Sequence, residues 1–360
     1  MFQEIFEPLV AFFTPFNVFR YITFRGAYAA ITTLLICFLF GGRVIEFLRR
    51  LKFGQSIRED GPATHLAKSG TPTMGGLLII GSVLISTVLW GDVRSNLVWL
   101  VLISFVAFGA VGFMDDFLKI KRRNSDGLSA RWKLAGQFAV ATAVVVYLYF
   151  AGGEDITRVS VPLFRNAAFD MGALWIPFAV LLVVGSSNAV NFSDGLDGLL
   201  AGLMIMVFIT LAIISYLSGR FDYSQYLGIP FVQGAGELTV LSLAVLGSLV
   251  GFLWFNSNPA EVFMGDVGSL ALGGTVAVIA LVLRKELLIF VIGGVFVLEI
   301  ASVIIQVASY KLRKGKRVFK MAPLHHHFEE SGWAEPKVVI RFWIMGGLFS
   351  IIALSILTIQ

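Results

Sequence analysis

A chain of 360 residues in which 57% are hydrophobic and only 14% charged is not an ordinary soluble protein, because about a quarter of a soluble domain is charged. Mean hydropathy of +0.84 places it in a bilayer. The connecting stretches are too short for a separate soluble domain, so residues 1–360 are expected to form a single polytopic membrane domain. The one cysteine, Cys37, cannot form an intrachain disulfide and excludes cysteine zinc chemistry. The first residues, MFQEIFEPLV, carry Glu4 and Glu7 with no basic residue before Arg20. They lack the positive region of a cleavable signal peptide, and their phenylalanines suit a segment lying at the bilayer surface.

A membrane-spanning helix needs roughly 17–25 mostly apolar residues. Ten stretches qualify: 22–42, 73–91, 96–115, 133–151, 172–190, 198–218, 238–256, 267–283, 287–308 and 340–359. Glu299 is the exception to their mostly uncharged interiors. Pro177 and glycine pairs at 75–76, 273–274, 293–294 and 346–347 fall inside spans, which packed transmembrane helices tolerate. The expected fold is therefore an all-α integral membrane protein of about ten transmembrane helices.

Ten crossings put both termini on one side. The loops 43–72, 116–133 and 309–337 hold nineteen of the 28 basic residues, and Arg341 borders the same side. Short basic loops remain in the cytoplasm, so both termini are expected outside. The motifs GTPTMGG, MDD, NFSDGLDG, FMGD and HHH all fall at the cytoplasmic ends of spans. Carboxylates are costly near lipid, and several gathered on one face point to a working cleft there. The basic excess on that face suits anionic lipid or capture of a phosphorylated substrate.

Asp115 and Asp116 close the third span. Helical neighbours point about 100° apart, so the pair is expected to divide its work. The bland alternative is a solvated helix end beside Lys119, Lys121, Arg122 and Arg123, although acids at a helix C-terminus oppose the macrodipole. Asn188, Asn191, Asp194 and Asp197 recur every third residue. One helix cap needs one such residue, and Gly195 and Gly198 favour a turn whose side chains converge. Asp266 precedes another span between glycines, where it would serve as a cap or as a ligand approached closely by backbone. Phe263 would stack on a base or anchor in lipid.

His325, His326 and His327 are consecutive, so their side chains diverge, and no HExxH or CxxC spacing supports a zinc site. They suit hydrogen bonding to phosphate or sugar, proton transfer, or simply a polar loop. His65, Lys68, Thr71 and Thr73 precede the second span, with Lys68 and Lys119 as phosphate-binding candidates. Glu299 and Gln306, seven residues apart, share a helical face. Hard Mg²⁺ takes oxygen ligands, commonly one or two carboxylates with substrate phosphates. Several aspartates with scattered Lys and His suit phosphoryl transfer between one soluble and one lipid substrate. No GxxxxGK[ST] loop is present, which argues against a P-loop NTPase.

The DD pair, NFSDGLDG, NPAEVFMGD, GTPTMGG and MAPLHHHFE together resemble the phospho-N-acetylmuramoyl-pentapeptide transferases, a branch of the polyprenyl-phosphate N-acetylhexosamine-1-phosphate transferases. The resemblance covers nearly the whole chain, with Phe192-Ser193 where Leu-Thr is expected. It implies a transferase that takes UDP-N-acetylmuramoyl-pentapeptide and undecaprenyl phosphate to lipid I and UMP. It further implies Mg²⁺ and a cytoplasmic-face site in a bacterial inner membrane. By motif, Asp266 would be a magnesium ligand with Asp116 beside the metal, and Asp115 the base toward the lipid phosphate. Asp194, Asn188, Asn256 and Phe263 would shape the uridine pocket, with Asn191 and Asp197 on the same loop. Lys68, Thr73 and Lys119 would support phosphates. His325, His326 and His327 would meet the substrate, and Gln306 would line the cleft.

Three rivals have distinct signatures. A sister enzyme transferring N-acetylglucosamine-1-phosphate would lack the histidine motif. A transporter would place polar groups near the midplane on broken helices, and a cation channel would show a selectivity loop. The expected partners are the two substrates and membrane lipid; packed glycine pairs would also allow a homodimer, and no nucleic acid is implied.

Overall fold

The computed structural model describes residues 1–51, 70–122, 127–153, 155–162, 164 and 168–357. A short helix, α1 (Phe2–Phe6), and two 3₁₀ stretches (Pro8–Ala11 and Thr14–Arg20) precede the first long helix, α2 (Ile22–Arg50). Then come α3 (Gly76–Trp90), α4 (Asn96–Arg122), α5 (Ala130–Ala151), α6 (Trp175–Phe192) and α7 (Leu199–Ser218). The short α8 (Phe221–Leu227) leads to α9 (Glu237–Asn256), α10 (Gly265–Val282), α11 (Ile289–Ile292), α12 (Gly294–Leu312), α13 (Leu324–Glu329) and α14 (Glu335–Leu357). Between α5 and α6, β1 (Arg158–Ser160) pairs antiparallel with β2 (Ala168–Asp170), Val159 opposite Phe169.

Nine helices among the described residues are long and apolar enough to cross a membrane, and α3 is a shorter apolar helix. A helix is the natural state of such segments, because it satisfies every backbone group within itself where lipid cannot. The ten predicted stretches thus correspond to ten helical segments, with shifted ends. The third runs on to Arg122, where Lys119, Lys121 and Arg122 fall in its last turn and complement the helix dipole. Pro177 sits in the first turn of α6 and Pro336 in that of α14, positions where a missing N–H costs no helical bond. The predicted ninth span is broken instead of continuous: α11 stops at Ile292 and α12 starts at Gly294.

The packing is layered around α10, which is buried without interruption from Val267 to Val282. Helices α4 and α6 lie against it, α2 packs on α9, α9 on α7, and α7 on α14. By contrast α12 leaves Leu298, Ile304, Ile305, Val307 and Leu312 exposed, an apolar flank suited to lipid. The N-terminal amine reaches the carbonyl of Val88, near the end of α3. The other end of α3 meets the loop before α10, where the Gly75 amide donates to the Phe263 carbonyl at 2.9 Å. Helix α14 starts where Glu335 accepts from the Asp197 amide at 2.9 Å and runs away from it to Leu357. Met1 and Leu357 therefore lie at the end opposite the aspartates.

Candidate active site

Two helix ends create the acid cluster. Asp115 and Asp116 are buried in the penultimate turns of α4. Asp266 opens α10, where the helix N-terminus favours an anion. Oxygens from these three carboxylates lie within 4.8 Å of one another. The helices can approach this closely because Gly112 has no side chain: a Cβ there would overlap the carbonyl of Asp266. Gly265, at φ +74, makes the turn into α10 in a conformation that L side chains avoid. A Cβ there would lie 2.6 Å from an Asp116 oxygen and 2.7 Å from Thr73 Oγ1, which places Thr73 at the cluster's edge.

Two ammonium groups sit among the carboxylates. Lys119 Nζ is 2.5 Å from Asp115 Oδ2, 2.8 Å from Asp266 Oδ2 and 3.4 Å from Asp116 Oδ1. Lys133 Nζ is 2.8 Å from Asp266 Oδ2 and 3.7 Å from Asp115 Oδ2. The Asn191 amide donates to Asp266 Oδ1 at 2.6 Å and to Ser269 Oγ at 2.8 Å. Val267 N donates to Asp116 Oδ2 at 3.2 Å, and Leu128 N to Asp115 Oδ1 at 2.8 Å. The Asp pair meets at one place, where Lys119, one turn on, bridges both to Asp266.

Asp194 joins this group through the turn after α6. Its carboxylate accepts from the Gly265 amide, and its pKa is pushed up to about 7 by burial and by the charges of Asp266 and Asp116. Three carboxylates against two ammonium groups leave net negative charge even before Asp194 is counted. An all-oxygen, acid-rich set of this kind fits a hard divalent cation such as Mg²⁺ and does not suit a thiolate-seeking metal.

The remaining predicted residues take other positions. Asn188 pairs with Gln137, donating to its Oε1 at 2.6 Å, one turn before Asn191. Asp197 accepts from Asn258 Nδ2 and the Ala260 amide, and Asn256 bridges the Gly198 amide to the Val262 carbonyl. These two fasten the NFSDGLDG turn to the loop carrying Phe263, which is itself half-buried and bonded through its backbone to Pro72 and Gly75. Gln306 holds the chain at 318–319, accepting from both amides and donating to the Phe319 carbonyl. It also lines a cavity of about 360 Å³ with Val303, Tyr310, Lys311 and Arg317.

The histidine run forms the short helix α13. His325 is fully buried beside Glu299, His326 pairs with Glu329 at 2.8 Å, and His327 Nδ1 accepts from the Lys320 amide. Lys68 and His65 lie outside the described residues. Sequence reasoning missed Lys133, Gln137 and Ser269. The one available signal was the i,i+4 spacing of Lys133 and Gln137, which sets both on one face of α5.

Acids and lysines that meet at the ends of apolar helices are what a membrane transferase of phosphorylated substrates would need, and the comparisons identify the family. The family model described as "Glycosyl transferase family 4" matches residues 98–284, and "Phospho-N-acetylmuramoyl-pentapeptide-transferase signature 1" matches residues 68–80. Three relatives bear the name phospho-N-acetylmuramoyl-pentapeptide-transferase. That of Thermodesulfovibrio yellowstonii is 47% identical over 100% of this chain and 99% of its own length. That of Syntrophus aciditrophicus is 49% identical over 100% of both. That of Desulfotalea psychrophila is 48% identical over 99% of this chain and 100% of its own. The chain belongs to the phospho-N-acetylmuramoyl-pentapeptide-transferase family.

Proposed function

We propose that the chain transfers phospho-N-acetylmuramoyl-pentapeptide from its UDP-linked form to undecaprenyl phosphate, giving lipid I and UMP. The site would face the cytoplasm of a bacterial inner membrane, where basic loops and acidic motifs share one end of the bundle. The observation that carries the reading is the cluster of Asp115, Asp116 and Asp266 with Lys119 and Lys133.

An oxygen of the lipid phosphate would attack the β-phosphorus of the nucleotide sugar. The bond from that phosphorus to the α-phosphate oxygen breaks, and UMP leaves. A phosphate monoester is largely dianionic at pH 7, so it needs little help from a base, and direct attack is preferred over a phospho-aspartate. The engagement of Asp115 supports this choice: Leu128 N binds one of its oxygens and Lys119 the other. Asp266 and Asp116 would hold Mg²⁺, which when bound spreads the charge of the diphosphate.

Lys119 and Lys133 would meet phosphate oxygens as charge moves between them, with Thr73 at the cluster's edge. Asp194 and Phe263 would receive the uridine, in a pocket whose shape depends on the loop contacts of Asn256 and Asp197 and on the Asn188–Gln137 pair. His325 borders this region from α13, with its ring against Gly195, and His326 and His327 would meet the substrate beyond it. Positioning and charge neutralisation are most of what such a reaction asks of a protein.

The test is UMP release by the detergent-solubilised chain given both substrates, with and without Mg²⁺. Magnesium-dependent release that needs both substrates is expected. Absence of release, or equal use of UDP-N-acetylglucosamine, would refute the assignment. Trapping a covalent phospho-aspartate in a single turnover would refute direct attack.

A further inference from the structure

Glu299 and His325 form an enclosed ionisable pair outside the acid cluster. Both side chains are fully buried, one in the second turn of α12 and the other in α13. His325 Nδ1 lies 3.3 Å from Glu299 Oε2. Yet neither carboxylate oxygen and neither ring nitrogen has a hydrogen-bond partner of good geometry among the described residues. A buried carboxylate without a donor is costly, and His325 is the group within reach. The opposite edge of the ring is equally constrained. His325 Nε2 lies against the backbone of Gly195, so close that a Cβ at 195 would overlap it. Gly195 follows Asp194, whose carboxylate is tied to the Gly265 amide beside Asp266.

Carboxylate, imidazole and glycine backbone thus stand in line, from a lipid-flanked helix to the turn that carries Asp194. We propose that Glu299 is a positioning residue acting through His325: it holds a proton on Nδ1, locks the ring against Gly195, and so aims Asp194 at the nucleotide. A carboxylate that fixes the tautomer and orientation of an imidazole is a recurrent arrangement. It also accounts for a glutamate inside an apolar helix, where an ionisable residue otherwise carries a large penalty. The inference rests on the reading that Asp194 serves the uridine pocket.

The experiment combines ¹⁵N-histidine spectra of the full chain in detergent with kinetics of Glu299→Leu, Glu299→Gln and Asp194→Asn. His325→Gln identifies the resonance. The wild type is expected to carry its proton on Nδ1. Glu299→Leu is expected to lose that preference and to raise KM for the nucleotide sugar about tenfold, with kcat and the lipid KM within about twofold. Glu299→Gln, whose amide oxygen accepts the same N–H, is expected to restore KM to within about twofold of wild type.

A wild-type His325 bare at Nδ1 would overturn the proposal, as would a Glu299→Leu enzyme with unchanged nucleotide KM. If the leucine variant does not fold, the wild-type and glutamine spectra decide alone, and a bare Nδ1 in either overturns it. Asp194→Asn separates the two readings. An unchanged nucleotide KM there removes Asp194 from the uridine pocket, while the spectra still report on the Glu299–His325 pair.

Discussion

Replacing Lys133 by methionine should change affinity for Mg²⁺ and for the substrate in opposite directions. Its ammonium lies 2.8 Å from Asp266 Oδ2 and 3.7 Å from Asp115 Oδ2. At an effective dielectric constant of about 20, such pairs represent about 6 and about 4.5 kcal/mol of raw attraction. Desolvation cancels most of this, and Lys119, bound to the same Asp266 oxygen, takes over part of the remainder. A net effect on the order of 2 kcal/mol is left, roughly thirtyfold in a binding constant. A divalent cation must displace the ammonium to reach Asp266, so Lys133→Met should lower half-saturating Mg²⁺ by roughly thirtyfold. The same change removes a cation from the phosphate path and should cost about a hundredfold in kcat/KM for the nucleotide sugar. The assay is thermal unfolding across a Mg²⁺ titration, since a ligand stabilises according to its concentration relative to Kd. Unchanged or weaker Mg²⁺ affinity would refute the idea that the lysine stands where the ion binds.

Asp266→Asn should leave the fold intact, because Asn191 and Ser269 still brace α10, and should lower kcat by at least about a thousandfold; near-normal UMP release would remove Asp266 from the site. Gly112→Ala should force α4 away from the Asp266 carbonyl, costing about 1–3 kcal/mol, and should depress activity beyond its loss of melting temperature. At the opposite end, burial pushes the Glu286 carboxyl up to about 7 and the Lys285 ammonium down to about 8. A raised acid pKa contributes stability that is full below about 4.5 and lost as pH rises to about 7, on the order of 3 kcal/mol. The lowered lysine pKa works the other way, withholding its contribution until pH climbs from about 8 toward 10.5. Glu286→Gln should therefore raise the melting temperature at pH 7.5 and flatten its dependence between pH 4.5 and 7. An unchanged pH profile would contradict this.

The transmembrane pattern was legible in the sequence because an apolar run has one stable backbone state in lipid. That Asp115, Asp116 and Asp266 share one end of the bundle followed from the alternation of spans. Less was legible wherever a side chain's partner is distant in the chain. Nothing near Asp115 or Asp116 announces that Lys119 will draw both toward Asp266, 150 residues on. Lys133 reads as one more cytoplasmic lysine until α5 is laid beside α10. The Gly293-Gly294 pair reads as tolerable packing inside one span, yet the helix breaks there. The histidine run reads as a contact to phosphate or sugar, a proton-transfer group or a polar loop, and only the fold places His325 between Glu299 and Gly195. Asn256 and Asp197 likewise have partners that the sequence does not announce: they tie the NFSDGLDG turn to the loop that carries Phe263.

The enclosure of α10 has a consequence for turnover. The carboxylate at its tip rides on the most thoroughly buried of the long helices described. A long-tailed acceptor or a bulky product would therefore meet less resistance along the peripheral helices, such as α12 with its oily flank, than at α10.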